Sequence, residues 1–183
     1  MRVISGEKKS LPLKTPSGMK TRPTTDRIKE TLFNILMPHI YDSDFLDLFA
    51  GSGQMGIEAL SRGSRRAVFV DNDSEAVSTI KLNLKSTGLM DRGEVRKENV
   101  NEFLNTYSGK KFDIIFIDPP YHEKLEDSIF SSLSSSSACD DSTLIILEAD
   151  AMLDTGFLKS HGFSCFRVKD YKTNKHLFIR KEV

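Results

Sequence analysis

The run FDIIFI, residues 112–117, ends in Asp118-Pro119-Pro120-Tyr121: a carboxylate, two prolines and an aromatic ring. Prolines have no backbone N–H and cannot continue a strand or sit inside a helix, so the run closes in a stiff turn. A carboxylate and a proline-fixed backbone carbonyl are two acceptors aimed at one place, and two acceptors suit an NH₂ group. The Tyr121 ring supplies a platform on which a planar base can stack. The exocyclic amine of a base is a poor nucleophile because its lone pair is delocalised. Hydrogen bonds to both N–H groups can rotate the amine and localise that pair, so that it attacks the methyl of a sulfonium in line. The gain is then orientation and electrostatics. A base inside a duplex cannot reach such a pocket, so the target must be single-stranded or flipped out.

A second constellation lies upstream. DLFAGSGQMG, residues 47–56, carries Gly51, Gly53 and Gly56 at the spacing G-x-G-x-x-G. Glycines let the backbone turn sharply and let a ligand approach closely. Asp71 ends the next strand, where a carboxylate can accept both ribose hydroxyls of a nucleoside. Two cofactor classes compete, a dinucleotide and S-adenosylmethionine. A dinucleotide places its pyrophosphate on the helix N-terminus. Asp47 would be awkward beside pyrophosphate, but it suits the amino group of a methionine moiety. The candidate cofactor residues are therefore Asp47, Phe49, Ala50, Gly51, Ser52, Gly53, Asp71, Asn72, Asn99 and Val100. Asn99, after the third strand, reads equally as an adenine contact and as a helix cap.

The elements that must position these groups alternate. FLDLFA (45–50), RAVFVD (66–71), GEVRKENV (93–100), FDIIFID (112–118) and STLIILEA (142–149) read as strands. QMGIEALSRG (54–63), SEAVSTIKLNLKSTG (74–88, capped by Ser74) and LEDSIFSSL (125–133) read as helices. Alternation over this length implies an α/β fold with a mostly parallel sheet and helices on both faces. Residues 163–181 read as an antiparallel terminal hairpin turning near Lys172-Thr173-Asn174, and the serine-rich stretch 131–142 as a surface loop. RVIS and LPLK can form a small hairpin around GEKKS. In RPTTDRIKETLFNIL (22–36), Thr24 or Thr25 can cap a helix with Ile28, Leu32, Phe33, Ile35 and Leu36 on its apolar face. Arg22, Arg27 and Lys29 then crowd its first turns, where the helix dipole does not favour cations.

The formal net charge is zero, but residues 1–30 and 159–183 each carry a net +5 and the acids concentrate between them. Binding responds to the local field rather than to the sum, so the basic ends suit a nucleic-acid partner. Composition and length fit one globular domain. Cys139 and Cys165 form no disulfide framework. With His39, His122, His161 and His176 scattered, they show no metal-ligand spacing. There is no transmembrane run and no apolar signal-peptide core in MRVISGEKKS, so a cytoplasmic monomer with free thiols is the expectation.

DLFAGSGQMG with IDPPY resembles the amino-methyltransferases of the class I S-adenosylmethionine-dependent fold. RVISGEKKSLPL, RPTTDRIKETLFNIL, FLDLFAGSGQMGIEALSRG and FIDPPY stand in the order and spacing of the RsmD-type bacterial 16S rRNA guanine-N2 methyltransferases, from residue 2 to about residue 180. RPTTDR-x-x-ETLFN is the most specific part of that resemblance. It implies a Rossmann-like seven-strand sheet (residues 24–183) behind a small N-terminal β extension (1–23). It implies a methyl donor held by Asp47, Gly51, Gly53 and Asp71 with Asn99 near the adenine, and Asp118, Pro119, Pro120 and Tyr121 around a guanine of 16S rRNA. Lys8, Lys9, Lys20, Arg22, Thr24 and Arg27 would then contact RNA, arginines suiting phosphate geometry. The nearest rival is a DNA adenine-N6 methyltransferase, which uses the same two acceptors on a different amine but usually carries a separate target-recognition domain. A glutamine methyltransferase would usually have Asn at position 118. A nicotinamide dehydrogenase has no use for DPPY. A non-catalytic RNA-binding module explains the basic ends but not Asp118 and the glycine loop together.

Overall fold

Each predicted strand and helix has its counterpart in the computed structural model, which describes residues 1–16, 25–120 and 123–183. The chain runs α1 (Asp26–Ile40), β1 (Asp44–Leu48), α2 (Gln54–Ser61), β2 (Arg66–Asp71), α3 (Ser74–Thr87), β3 (Gly93–Lys97), α4 (Val100–Thr106), β4 (Ile114–Ile117), α5 (Glu126–Ser135), β5 (Leu144–Asp150), α6 (Gly156–Ser160), β6 (Phe163–Asp170) and β7 (Asn174–Lys181). The strands form a seven-stranded sheet in the order β3-β2-β1-β4-β5-β7-β6. The first five are parallel, β7 is antiparallel to β5, and β6 is antiparallel to β7. Among the described residues no helix is long and apolar enough to cross a membrane.

Side chains alternate between two apolar layers even where a strand is buried throughout. Phe45, Ala67, Phe69, Ile114, Phe116, Ile146 and Phe178 join a front core with residues of α1, α2 and α3. Leu46, Leu48, Val68, Ile115, Ile117, Ile145 and Leu147 join a back core with residues of α4, α5 and α6. Helices on both faces are what continuous apolar strands require. Each large side chain removed fully from water contributes roughly 1.5–3 kcal/mol.

α2 is buried from Met55 to Ser61, on every side. A helix buried all round needs a cover on its outer face, and residues 1–16 supply it. They fold back on themselves through an antiparallel bridge between Arg2 and Pro12, as the expected small hairpin. Val3 and Leu13 enter the front core, so this segment is part of the front layer. Glu58 of α2 accepts from the backbone N–H groups of Ile4 (2.8 Å) and Ser5 (3.0 Å), and from Arg62 Nε at 2.8 Å.

Several local expectations are corrected. Lys29 does not crowd an exposed first turn: it is fully buried, its Nζ donating to the Arg2 carbonyl at 2.7 Å and lying 3.4 Å from Glu58 Oε2. Burial pushes its pKa down, against the opposing pull of Glu58. Asp73, not Ser74, caps α3 by accepting from the Glu75 N–H at 2.8 Å. The serine-rich stretch is helical as far as Ser135 because Ile129, Phe130 and Leu133 must face the back core. Its remainder is tied inward, with Ser136 Oγ donating to the Leu104 carbonyl at 2.7 Å and Ala138 buried. Thr25 is the cap of α1, and its face is Leu32, Phe33, Leu36 and Ile40, with Ile28 and Ile35 only half-buried.

Candidate active site

The chemistry-bearing residues meet at the carboxyl edge of the parallel strands, the usual place for ligands in an open α/β sheet. β1 ends at Leu48, and Phe49 then takes a left-handed φ of 61° that bends the chain away from the sheet. Gly53 follows with φ 76°, a conformation glycine adopts without steric cost, and starts α2. Gly56 is required for another reason: a Cβ there would lie 2.3 Å from the Phe69 ring, so helix and strand touch only because no side chain intervenes.

Two carboxylates hold this loop. Asp47 Oδ2 accepts from the Gly56 N–H at 2.9 Å, and Asp71 Oδ2 from the Gly51 N–H at 2.8 Å. Asp71 Oδ1 also accepts from the Asp73 N–H at 2.9 Å. The acids expected to touch a cofactor thus also shape its loop. Each carboxylate oxygen has two lone pairs, so the bonded oxygens keep acceptor capacity. Ser52 does not offer its hydroxyl to the front of the loop: Oγ donates to Met1 Sδ at 3.3 Å, and its carbonyl accepts from Asn83 Nδ2 at 2.9 Å. Asn83 in turn exchanges hydrogen bonds with both backbone groups of Lys14 (2.8 and 2.9 Å). The N-terminal segment therefore braces the glycine loop from behind, a role that sequence reasoning missed.

Asn72 is exposed beside Asp71, and Val100 is buried at the start of α4. Asn99 caps α4, its Oδ1 accepting from the N–H groups of Asn101 (2.9 Å) and Glu102 (3.4 Å). The capping reading is therefore realised, and only its amide nitrogen is left to face a ligand. Ala50 is buried, with its N–H on the Val70 carbonyl at 3.1 Å.

Asp118 follows β4 directly and is half-buried; Pro119 is buried and Pro120 exposed. The β4–β5 register, ending with Ile117 opposite Leu147, carries on to set Asp118 beside Glu148. Asp47 and Phe116 are register partners, so Asp47 and Asp118 point from the same face two residues apart. This row of acids is electrostatically tense. Desolvation, opposed by the Gly56 N–H and reinforced by Asp71, pushes Asp47 up to about 8. Desolvation, then Glu148, then Asp47, push Asp118 well above the ordinary carboxylate range. Glu148 was not singled out from the sequence, although the signal was there: like β1, β2 and β4, the β5 stretch carries an acid near its carboxyl end.

Among the RNA-contact candidates, Arg27 is exposed on the first turn of α1. Lys8 and Lys9 sit at the hairpin tip beside Ser61, where Lys8 N donates to Ser61 Oγ at 3.0 Å. That is the far end of α2, about 12 Å from the glycine loop at 1.5 Å per residue. Lys8 and Lys9 are thus not brought to the glycine loop. Tyr121, Lys20, Arg22 and Thr24 lie outside the described residues.

Comparison with known proteins agrees with this architecture. The family model described as Conserved hypothetical protein 95 matches residues 1–180. YlbH of Bacillus subtilis is 41% identical over 152 residues, covering 82% of this chain and 83% of YlbH. Ribosomal RNA small subunit methyltransferase D of Escherichia coli K12 is 37% identical over 150 residues, covering 82% of this chain and 75% of that protein. The solved structure of yhhF from Escherichia coli superposes with a TM-score of 0.85 at 31% identity, covering 100% of this chain and 98% of that one. The sheet order is that of a class I methyltransferase, and the chain belongs to the Conserved hypothetical protein 95 family, the RsmD-type methyltransferases.

Proposed function

We propose that this protein transfers a methyl group from S-adenosylmethionine to the exocyclic N2 amine of a guanine in 16S ribosomal RNA. The observation that carries the reading is the acid row at the carboxyl edge: Asp47 and Asp118 on one face, both held above their ordinary titration range. Such a row favours cationic ligands and disfavours a pyrophosphate, which argues for S-adenosylmethionine over a dinucleotide. S-adenosylmethionine supplies, when bound, an electrophilic methyl on a sulfonium. Asp47 and the loop from Phe49 to Gly53 hold the methionine end. Asp71, with Asn72 beside it, accepts from the ribose, and the Asn99 amide with Val100 borders the adenine. Asp118 and the backbone carbonyls of the Pro119-Pro120 turn orient the amine, with Tyr121 as the stacking partner. The N2–CH₃ bond forms as the S–CH₃ bond breaks, and the proton that N2 gives up passes to water.

The ionisation of Asp47 makes a prediction. Its folded pKa of about 8 lies above the unfolded value near 3.9. Between those values the folded chain keeps a proton that the unfolded chain has lost, so this group's contribution to stability falls as pH rises through that window. A cationic ligand stabilises the ionised form. Binding of S-adenosylmethionine near pH 7 is therefore expected to release up to about one proton. Calorimetry in buffers of different ionisation enthalpy reads that release directly, and Asp47→Asn should abolish it. Buffer-independent heats in the unsubstituted protein would remove Asp47 from the cofactor site.

RNA contacts are assigned to Arg27 and, from the sequence, to Lys20, Arg22 and Thr24; Lys8 and Lys9 would extend the footprint. On the C-terminal hairpin, Arg167 lies over Phe178 at 5.5 Å and Arg180 over Phe166 at 5.7 Å, with Phe166 exposed, which suits the same polyanionic partner. Arg27→Ala is expected to weaken RNA binding and to lower the salt slope by about one phosphate contact. An unchanged slope would make Arg27 a solvated surface residue.

The function is tested by offering labelled methyl donor in parallel to unmodified small subunits, naked 16S rRNA and duplex DNA. Label in either ribosomal sample supports the reading. Label in duplex DNA alone, or in none of them while the cofactor binds, overturns it.

A further inference from the structure

Glu148 lies on β5, one strand over from Asp118 and on the same sheet face, since Phe116 and Ile146, two residues before each, share the front core. It is buried and held rigidly. Its Oε1 accepts from Asn174 Nδ2 at 2.7 Å, and its Oε2 lies 3.0 Å from His176 Nε2. The Tyr171 hydroxyl lies 3.3 Å from His176 Nδ1, and the tautomer with Nδ1 as acceptor turns the Nε2–H toward Glu148. Phe116 packs edge-on against His176 at 6.3 Å, and Tyr171 does so at 5.0 Å, so the ring that holds the carboxylate is itself fixed.

Resting on the guanine-N2 reading above, we propose that Glu148 selects guanine over adenine, accepting the ring N1–H of the target base while Asp118 accepts from the neighbouring amine. Guanine presents N1–H and N2–H₂ side by side, two donor groups for two adjacent carboxylates. Adenine presents an amine beside N1, which is an acceptor. Turned into this site, adenine sets its N1 lone pair against the Glu148 oxygens, and neither can rotate away. A site built to accept a specific N–H rejects a base that lacks it far more strongly than a site that merely fits its shape.

The probe is 2-aminopurine, which keeps the amine at position 2 but carries no proton on N1. It is placed by RNA ligation at the nucleotide that the unsubstituted protein methylates. Single-turnover transfer is then compared between guanine and 2-aminopurine RNA, for the unsubstituted protein and for Glu148→Gln. The substitution turns one acceptor into a donor. The unsubstituted protein is expected to prefer guanine by roughly 100-fold or more. In the variant that preference should collapse to within about tenfold, while S-adenosylmethionine affinity stays within about twofold. Use of 2-aminopurine as readily as guanine by the unsubstituted protein overturns the proposal without any variant. So does a variant that loses rate on both bases equally and keeps the original ratio. Methyl on an adenine N6 instead of a guanine N2 is a separate outcome, which overturns the functional reading itself.

Discussion

Asp118→Ala is expected to lower the single-turnover methyl-transfer rate at least about 100-fold, the scale seen when one oriented electrostatic group is removed from a transition state. Asp118 stands at the end of β4, beside Glu148, and does not bind the glycine loop, which Asp47 and Asp71 hold. Cofactor affinity should therefore stay within about threefold. Asp118→Asn keeps one acceptor but no ionisable group, and should fall between the two, at about tenfold. Equal losses in both variants would show that the carboxylate's charge, rather than its geometry, orients the amine. A collapse of cofactor affinity in Asp118→Ala would transfer the residue from the amine to the methyl donor.

The largest effect on stability is expected at Glu58. It is fully buried and receives two backbone N–H groups, Arg62 Nε, and the Lys29 ammonium at 3.4 Å. Glu58→Ala leaves a buried cation with the Arg2 carbonyl and uncaps the N-terminal segment. Breaking a buried ion pair in this way costs about 3–5 kcal/mol, which urea unfolding would read. Lys29→Met is the informative control. It removes the buried charge while Glu58 keeps Arg62 and both N–H groups, so a loss under about 2 kcal/mol is expected. The segment released by Glu58→Ala is the one that braces Ser52 through Met1 and, by way of Lys14, Asn83. The surviving folded protein should therefore also bind S-adenosylmethionine more weakly. A loss under about 1 kcal/mol would mean that the N-terminal segment is held without Glu58, by Val3, Leu13 and the hydrogen bonds to Ser61 and Asn83.

The sequence showed the sheet and its acidic carboxyl edge because both rest on local signals: continuous apolar runs, a glycine spacing, and acids at strand ends. Asp47, Asp71 and Asp118 were readable for that reason, and Glu148 could have been read by the same rule. Lys29 illustrates the opposite case. Its charge suggested an exposed helix start, yet positions 29, 32, 33, 36 and 40 form one stripe at helical spacing, and the stripe decided burial. A charged residue on such a stripe is legible only together with its partner, and Glu58 lies on another helix. Asn83 was hidden similarly, since its partners are backbone groups of Lys14 and Ser52, distant in the chain. The serine run misled because composition favoured a loop, while Ile129, Phe130 and Leu133 carried the helix through Ser135. Lys8 and Lys9 share the basic end with Arg27, but the chain reverses between them, and α2 separates their tip from the site.

The most direct test of the central claim is to identify the nucleoside that carries the methyl. Unmodified small subunits would be treated with the protein and labelled S-adenosylmethionine, the 16S rRNA digested, and the labelled nucleoside assigned by mass spectrometry. The acid row, with Asp118 facing the amine and Glu148 the neighbouring N1–H, predicts N2-methylguanosine as the labelled product. Label on N6 of adenosine, or on a ring nitrogen or ribose oxygen, would contradict it, because none of those products requires Asp118 and Glu148 to face the same guanine edge.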